Sequence, residues 1–280
     1  MQRRDKSKIK MKKLKKEDQM KYLNYVYFLG LLFMNIGNTF SEEIMKDLTV
    51  DSIAPDLIIV SHSFPWQSNS LVAIMENKDI LLVDVPYTPE ATDSLLNWIY
   101  RKYGKRNIVA INTHFHVDRL GGNAALVKHN IPIHSSELTI DAIKNRGEQS
   151  LNLLISWISD ETIKNYYKNF KYVSPNKIFD SKKGLTLNFG KEMVNVKFLG
   201  IGHSIDNLIV YLPNKKAIFG GCMVLSMGAN KAGNVSDGNK DEWLKTIHLV
   251  ATVNYNLVIP GHGKCGGIDL IKHTALILKQ

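Results

Sequence analysis

The segment INTHFHVDRLGG, from Ile111 to Gly122, sets two imidazoles two positions apart, a carboxylate two beyond the second, and an arginine directly after it. On an extended or turning loop His114 and His116 splay so that both reach one ion, while Asp118 lies to the side and can serve a second. Three further segments each present one donor among glycines: GIGHS with His203, FGGCM with Cys222 and IPGHG with His262. Imidazole, carboxylate and thiolate are the ligands that zinc takes in tetrahedral sites. Glycine lets the backbone turn sharply enough to aim such a side chain. The remaining histidines, His62, His129, His134, His248 and His273, lack that setting and read as core or surface residues.

The elements that must position these donors follow from periodicity. LIIV (57–60), SLVAIM (70–75) and DILLVDV (79–85) are short apolar runs cut by turn residues, the pattern of an antiparallel meander. PEATDSLLNWIYRKYG has an early proline, helical spacing of Leu95, Leu96, Ile99 and Tyr100, and a closing glycine, which predicts a helix over 89–104. IVAIN (108–112) is then a buried strand, and the histidine pair sits where it ends, on the loop side where α/β sites form. A helix from about Gly122 to Lys128, a strand over 131–135, helical ELTIDAIKN and a second helical stretch from Glu148 to Phe170 follow. The latter half repeats the style, with strands near 185–189, 192–198, 206–211 and 216–219, a helix over 241–250, the strand LVIP and a terminal helix from Ile268. Two β-rich halves, each closed by helices, predict two sheets between helical layers in one domain over 41–280.

The formal charge of +10 is an end effect: Met1 to Lys21 holds ten Lys/Arg against Asp5, Glu17 and Asp18, a net of +7, which leaves +3 for the rest. A basic face for nucleic acid on the folded domain is therefore not expected. The basic run leads into YLNYVYFLGLLFMNIG (22–37) and then polar NTFSEE. Positive run, short apolar block and small-residue exit read as a secretory signal over 1–40, with Met11 and Met20 as alternative starts and the periplasm as destination. An amphipathic helix lying on the membrane surface is the other reading of the block. No cysteine follows it for a lipid anchor, and no stable membrane anchor is expected. In an exported chain the two cysteines, Cys222 and Cys265, also fit a disulfide.

HFHVD, then GIGHSIDNLIVYLP, IFGGCM and VIPGHG, in that order, together with DVP (84–86) and GNVSDGN (233–239), make the chain resemble the subclass B1 metallo-β-lactamases over nearly all of residues 41–280. Superfamily thioesterases, lactonases and nucleases share the HxHxD element. They usually carry histidine after the aspartate and a bridging aspartate in place of the cysteine, whereas this chain has Arg119 and Cys222. The resemblance implies an α/β, four-layer αβ/βα sandwich of two mixed β-sheets flanked by helices, and two Zn2+ ions. It assigns His114, His116 and His203 to the first ion and Asp118, Cys222 and His262 to the second. The activity implied is β-lactam ring opening in penicillins, cephalosporins and carbapenems by a monomer: zinc-bound hydroxide attacks the lactam carbonyl with no covalent intermediate. Asp118 fixes the second zinc and orients the nucleophile, and Asn234 stabilises the carbonyl oxygen. A free thiolate ligand at Cys222 displaces the disulfide reading and leaves Cys265 unpaired.

Two departures from the family stand out. His114 and His203 are 89 positions apart, more than in common members; the surplus fits the 148–170 helical stretch and resembles the branch with an elongated helix over the site. Leu225 stands where the family usually has a lysine for the substrate carboxylate, so Lys231 and Arg119 become the candidates for that role. The hairpin expected to cover the site is VSHSFPWQSNSL (60–71), with Phe64 and Trp66 as apolar contacts, and Trp157 and Tyr166 as residues of a helical roof. A superfamily hydrolase of lactones or thioesters, or an exported zinc-binding protein without turnover, are the alternatives.

Overall fold

Strands buried on both faces read as unbroken apolar runs, and ILLV, LIVYL and AIFGG are such runs. The computed structural model describes residues 41–280, and the expected signal over 1–40 lies outside the described residues. The first sheet holds eight strands in chain order. They are β1 (Glu42–Met45), β2 (Leu48–Ala54), β3 (Leu57–Ser63), β4 (Gln67–Ile74), β5 (Ile80–Val83), β6 (Ile108–Ile111), β7 (Ile133–Ser136) and β8 (Lys177–Phe179). Pairing is antiparallel through β5 and parallel from β5 to β8.

Each parallel step carries helices. α1 (Pro89–Tyr103) links β5 to β6, α2 (Val117–Leu120) and α3 (Asn123–Lys128) link β6 to β7, and α4 (Glu137–Trp157) and α5 (Glu161–Lys168) link β7 to β8. The second sheet comprises β9 (Leu185–Phe189), β10 (Glu192–Phe198), β11 (Leu208–Leu212), β12 (Ala217–Gly221) and β13 (Leu257–Pro260). Its one parallel pair, β12 with β13, is bridged by α6 (Lys240–Val250), and α7 (Ile268–Leu278) closes the chain.

The period of two in each strand sorts side chains into three cores. Leu57, Ile59, Leu71, Leu81 and Val83 of the first sheet meet Val194, Val196, Leu208, Val210 and Phe219 of the second between the sheets. The alternate residues Ile58, Val60, Val72 and Leu82 pack outward on Leu95, Leu96 and Ile99 of α1. Ile209, Ile218 and Val258 pack outward on Trp243 and Ile247 of α6 and Leu270 and Ile271 of α7. This is the four-layer sandwich expected. Each such fully buried aliphatic side chain contributes about 1.5–3 kcal/mol.

Local signals set the helix ends. Thr88 accepts from Ala91 N at the start of α1 at 3.2 Å, Pro89 opens it, and Gly104 ends it at φ 75°. Asp160 caps α5 by accepting from the N–H groups of Thr162 and Ile163. Three strands depart from the sequence expectation. β1, β2 and β8 were not expected; they lie at or near the edges of the first sheet, where EEIM is half acidic and largely exposed, β2 is buried only at Leu48 and Val50, and KIF is too short to show a period. Helix α4 also runs unbroken through Gly147, where two helices were expected. The Tyr172 ring packs over Gly147, 3.0 Å from where a Cβ would stand, and its hydroxyl donates to Gly147 O at 3.2 Å. Tertiary contact there overrides a weak helix former. Among the described residues no helix is long and apolar enough to cross a membrane.

His62 on β3 is buried and accepts from Tyr87 N at 3.1 Å through Nδ1. Burial, opposed by the Asp47 carboxylate, pushes its pKa down from 6.5 to about 4. The folded state therefore keeps His62 neutral, and its stability is complete above pH 6.5 and lost as the pH falls toward 4. We expect the metal-free chain to lose about 3 kcal/mol over that window through this residue. Urea titrations at both ends should show a correspondingly smaller pH-dependence in His62→Asn.

Candidate metal centre

The four donor-bearing loops follow β6, β10, β12 and β13 at one edge of the sandwich. His114 and His116 occupy the loop between β6 and α2, and Asp118 lies in the first turn of α2. That loop is clamped from several sides. Asp84 Oδ1 accepts from Thr113 N at 2.7 Å and its Oδ2 from Thr113 Oγ1 at 2.8 Å. Asn112 Nδ2 donates to Arg119 O at 2.9 Å. Gly121 and Gly122 lie so close to the 86–92 segment that a Cβ would sit 2.1 Å from Tyr87 O or 1.8 Å from Thr92 Oγ1. Gly261 packs against Cys222 in the same way, with Sγ 2.8 Å from where its Cβ would be, and its N–H donates to Gly221 O at 2.7 Å. The parallel pair β12 and β13 thus delivers Cys222 and His262 side by side.

The donors converge in two trios. His116 Nδ1 lies 3.2 Å from both His114 Nε2 and His203 Nε2. Cys222 Sγ lies 3.4 Å from Asp118 Oδ2 and 3.2 Å from His262 Nε2, which is itself 3.3 Å from Asp118 Oδ2. Outer partners fix the rings: His116 Nε2–H donates to Asp237 Oδ2 at 3.0 Å, and His262 Nδ1–H donates to Gln67 O at 2.6 Å. With those protons committed outward, His116 Nδ1 and His262 Nε2 each turn a lone pair toward the other donors of their trio. Imidazole, carboxylate and thiol groups gathered this closely are the donor set that zinc takes, so the residues fit a bound zinc.

Electrostatics agree. Burial, with the neighbouring His116, holds His114 well below the usual imidazole range and pushes His203 down to about 3, so both rings are neutral. Burial opposes ionisation of Asp118, but the Arg119 guanidinium prevails and holds its carboxyl well below the carboxylate range. Burial drives the Cys222 thiol up despite Arg119; a cation at Sγ supplies the charge that favours thiolate. Arg119 is fully buried. It donates to Asp118 Oδ2 from Nε at 2.8 Å and from one terminal nitrogen at 2.6 Å, and to Ser68 Oγ, Asn69 O and Gly261 O at 2.8, 2.7 and 2.9 Å.

A family model described as the metallo-β-lactamase superfamily matches residues 64–262, a span that takes in every donor. The chain belongs to the metallo-β-lactamase superfamily. It is 35% identical to a metallo-β-lactamase type 2 of Bacillus sp. (strain 170), over 76% of this chain and 73% of the relative. It is 30% identical to a metallo-β-lactamase type 2 of Bacteroides fragilis, over 76% of each. A solved metallo-β-lactamase from Pontibacter korlensis superposes with a TM-score of 0.70 at 28% identity, covering 83% of this chain and 99% of that one. These relatives bear out the resemblance to subclass B1 and the fold that it implied.

In this metallo-β-lactamase superfamily member His116 and His203 of one trio and Asp118 and His262 of the other form the floor of a cavity of about 130 Å³. Trp66, Tyr87, Val117 and Tyr172 wall it, Asn234 stands at its rim, and Ser150, Leu151, Leu154 and Trp157 of α4 roof it. The α4 residues, Tyr87 and Tyr172 lack a site signal in the sequence except for Trp157, because apolar helical spacing is also what a core demands. Trp66 and Phe64 part company. Trp66 is exposed at the cavity, whereas Phe64 is turned away onto Tyr166, at 5.5 Å between ring centres, and His62, with its carbonyl accepting from the Tyr167 hydroxyl. Tyr166 lies in that aromatic cluster and is absent from the cavity lining. Lys231 is exposed and likewise absent from the lining. Leu225 packs into the core around α6 and its N–H donates to Thr274 Oγ1 at 2.9 Å. Cys222 and Cys265 are free thiols, Cys265 lying against the inter-sheet core.

Arg119→Met should leave Asp118 and Asp84 facing each other without a counter-charge. The expected loss is about 3–5 kcal/mol of unfolding free energy, the order found for a buried charge stripped of its partner, read from denaturant midpoints of the metal-free chain.

Proposed function

We propose that this chain is a zinc-dependent hydrolase that opens the β-lactam ring of penicillins, cephalosporins and carbapenems and so confers resistance. The observation that carries the reading is the convergence of two donor trios beneath an apolar roof, with a side-chain amide at the rim. His114, His116 and His203 would hold one zinc, and Asp118, Cys222 and His262 a second. When bound, zinc supplies Lewis-acid polarisation of a carbonyl and water with a pKa near 7.

The chain's own groups do the rest. Asp118 stays ionised through Arg119, which occupies Oδ2; Oδ1 receives no hydrogen bond among the described residues and can accept a proton from a water. Asn234 Oδ1 accepts from Ser236 N and Oγ at 3.0 and 2.7 Å, which leaves its Nδ2–H groups to donate to the lactam oxygen as charge grows there. Tyr87, Val117, Leu154 and Trp157 exclude bulk water from the floor. No side chain in the cavity is required as a covalent nucleophile.

The deciding assay is loss of carbapenem absorbance with purified chain. We expect hydrolysis that a chelator abolishes and zinc restores. Asp118→Ala should bind one zinc fewer and turn over at least about a hundredfold more slowly. Activity on lactones or thioesters alone would assign the chain to another branch, and zinc binding without turnover to a non-catalytic role.

We further propose export by the 1–40 segment, on the strength of its basic run and apolar block, and action as a periplasmic monomer. Sequencing the mature protein should place its first residue between about Gly37 and Glu43; an intact Met1 or Met20 in membranes would contradict export.

A further inference from the structure

The proposed substrates carry a carboxylate beside the ring nitrogen, yet no lysine or arginine lines the cavity above the trios. Leu225 is committed to the core and Lys231 lies outside the lining. Arg119 is fully buried with its donors spent on Asp118, Ser68, Asn69 and Gly261. A cation must come from elsewhere if the carboxylate is to be recognised.

The cavity is also small. Its 130 Å³ is well under the roughly 300–1,000 Å³ of sites that enclose a small molecule. A bicyclic substrate therefore reaches beyond it. Next to it, between α4 and the 236–237 segment, runs a groove of about 810 Å³, lined by Asn145, Arg146, Gln149, Ser150, Ser236 and Asp237 among others. Ser150 lines both spaces, so the groove opens beside the cavity. Arg146 is the one cation that lines either, among the described residues.

Arg146 is unlike Arg119 in its state of satisfaction. Its side chain is 40% exposed, and its polar contact is a long one, 3.8 Å from the guanidinium to Asp237 Oδ1. Asp237 Oδ2 is taken by His116, which places the guanidinium one carboxylate away from a metal-trio ring. Asn234, on the same loop as Asp237, stands at the cavity rim. A planar fork with unused donors, beside the segment that also carries Asn234, is suited to a carboxylate.

Resting on the reading under Proposed function, we infer that Arg146 of α4 binds the substrate carboxylate in the groove beside the metal trios, the role that Leu225 cannot fill. The specificity-determining cation then belongs to α4 and not to the loop after β12.

The test pairs a β-lactam acid with its methyl ester on the zinc-loaded chain and on Arg146→Ala, Arg146→Gln and Arg146→Lys, each checked for zinc content and melting temperature. We expect wild type to show a KM about tenfold lower for the acid than for the ester. Arg146→Ala and Arg146→Gln should raise KM for the acid about tenfold with kcat within about twofold and leave the ester unchanged, the pattern of lost uniform binding; Arg146→Lys should recover part. Calorimetric Kd values for the ring-opened acid should move in parallel. An unchanged KM for the acid overturns the inference, as does an equal rise for acid and ester, which would make Arg146 a clamp on Asp237. A wild-type chain that opens no β-lactam overturns the proposed function and this inference with it.

Discussion

A single buried guanidinium organises the centre. Arg119 contacts Ser68 and Asn69 on β4, Asp84 at the end of β5, Asp118 on α2 and the carbonyl of Gly261 after β13. It therefore joins both sheets at the edge where the donor loops meet. Its charge is what lets a fully buried Asp118 remain ionised, while Asp84, which burial drives up to about 7 against the pull of Arg119 and Thr113, shares the same cation. An ion pair so enclosed stabilises little on balance, because desolvating both groups costs nearly what their attraction returns. Its effect is on geometry: with Arg119 in place, the Asp118 carboxylate has one orientation.

The sequence makes the donor cluster legible for a physical reason. A donor at a strand end needs glycine neighbours to approach other backbone closely, so HFHVDRLGG, GGCM and PGHG each carry both the donor and the means of aiming it. The strands buried on both faces are equally legible, since four-residue runs such as ILLV leave no polar face. What stays hidden is the outer support. Asp237 and Arg146 are ordinary charged residues until the fold sets one against His116 and the other against the first. Phe64 and Trp66, two positions apart near the hairpin tip, look equivalent in sequence. They diverge because α5 offers an aromatic surface to only one of them. The continuity of α4 through Gly147 is likewise invisible locally, for it depends on Tyr172, distant in the chain.

The roof differs in kind from the floor. Its residues Ser150, Leu151, Leu154 and Trp157 recur at helical spacing on one face of α4. The hairpin tip is tied to α5 through Phe64 and the Tyr167 hydroxyl. The cover over the floor is thus built on two helices and a short, anchored turn, and the side chains that vary its shape stand apart from those that fix the floor.

The trios also divide the chain. His114, His116 and Asp118 hang from the first sheet, while His203, Cys222 and His262 hang from the second. Each trio mixes donors from both, so neither is complete until the sheets have docked. Any ion held there binds the docked state in preference to the open chain, and every tenfold rise in free ion above its dissociation constant adds about 1.4 kcal/mol to the grip between the halves. Metal supply then governs more than chemistry: in a zinc-starved compartment the same polypeptide would open more often along this seam and meet proteases sooner, so its abundance as well as its turnover would follow the free zinc concentration.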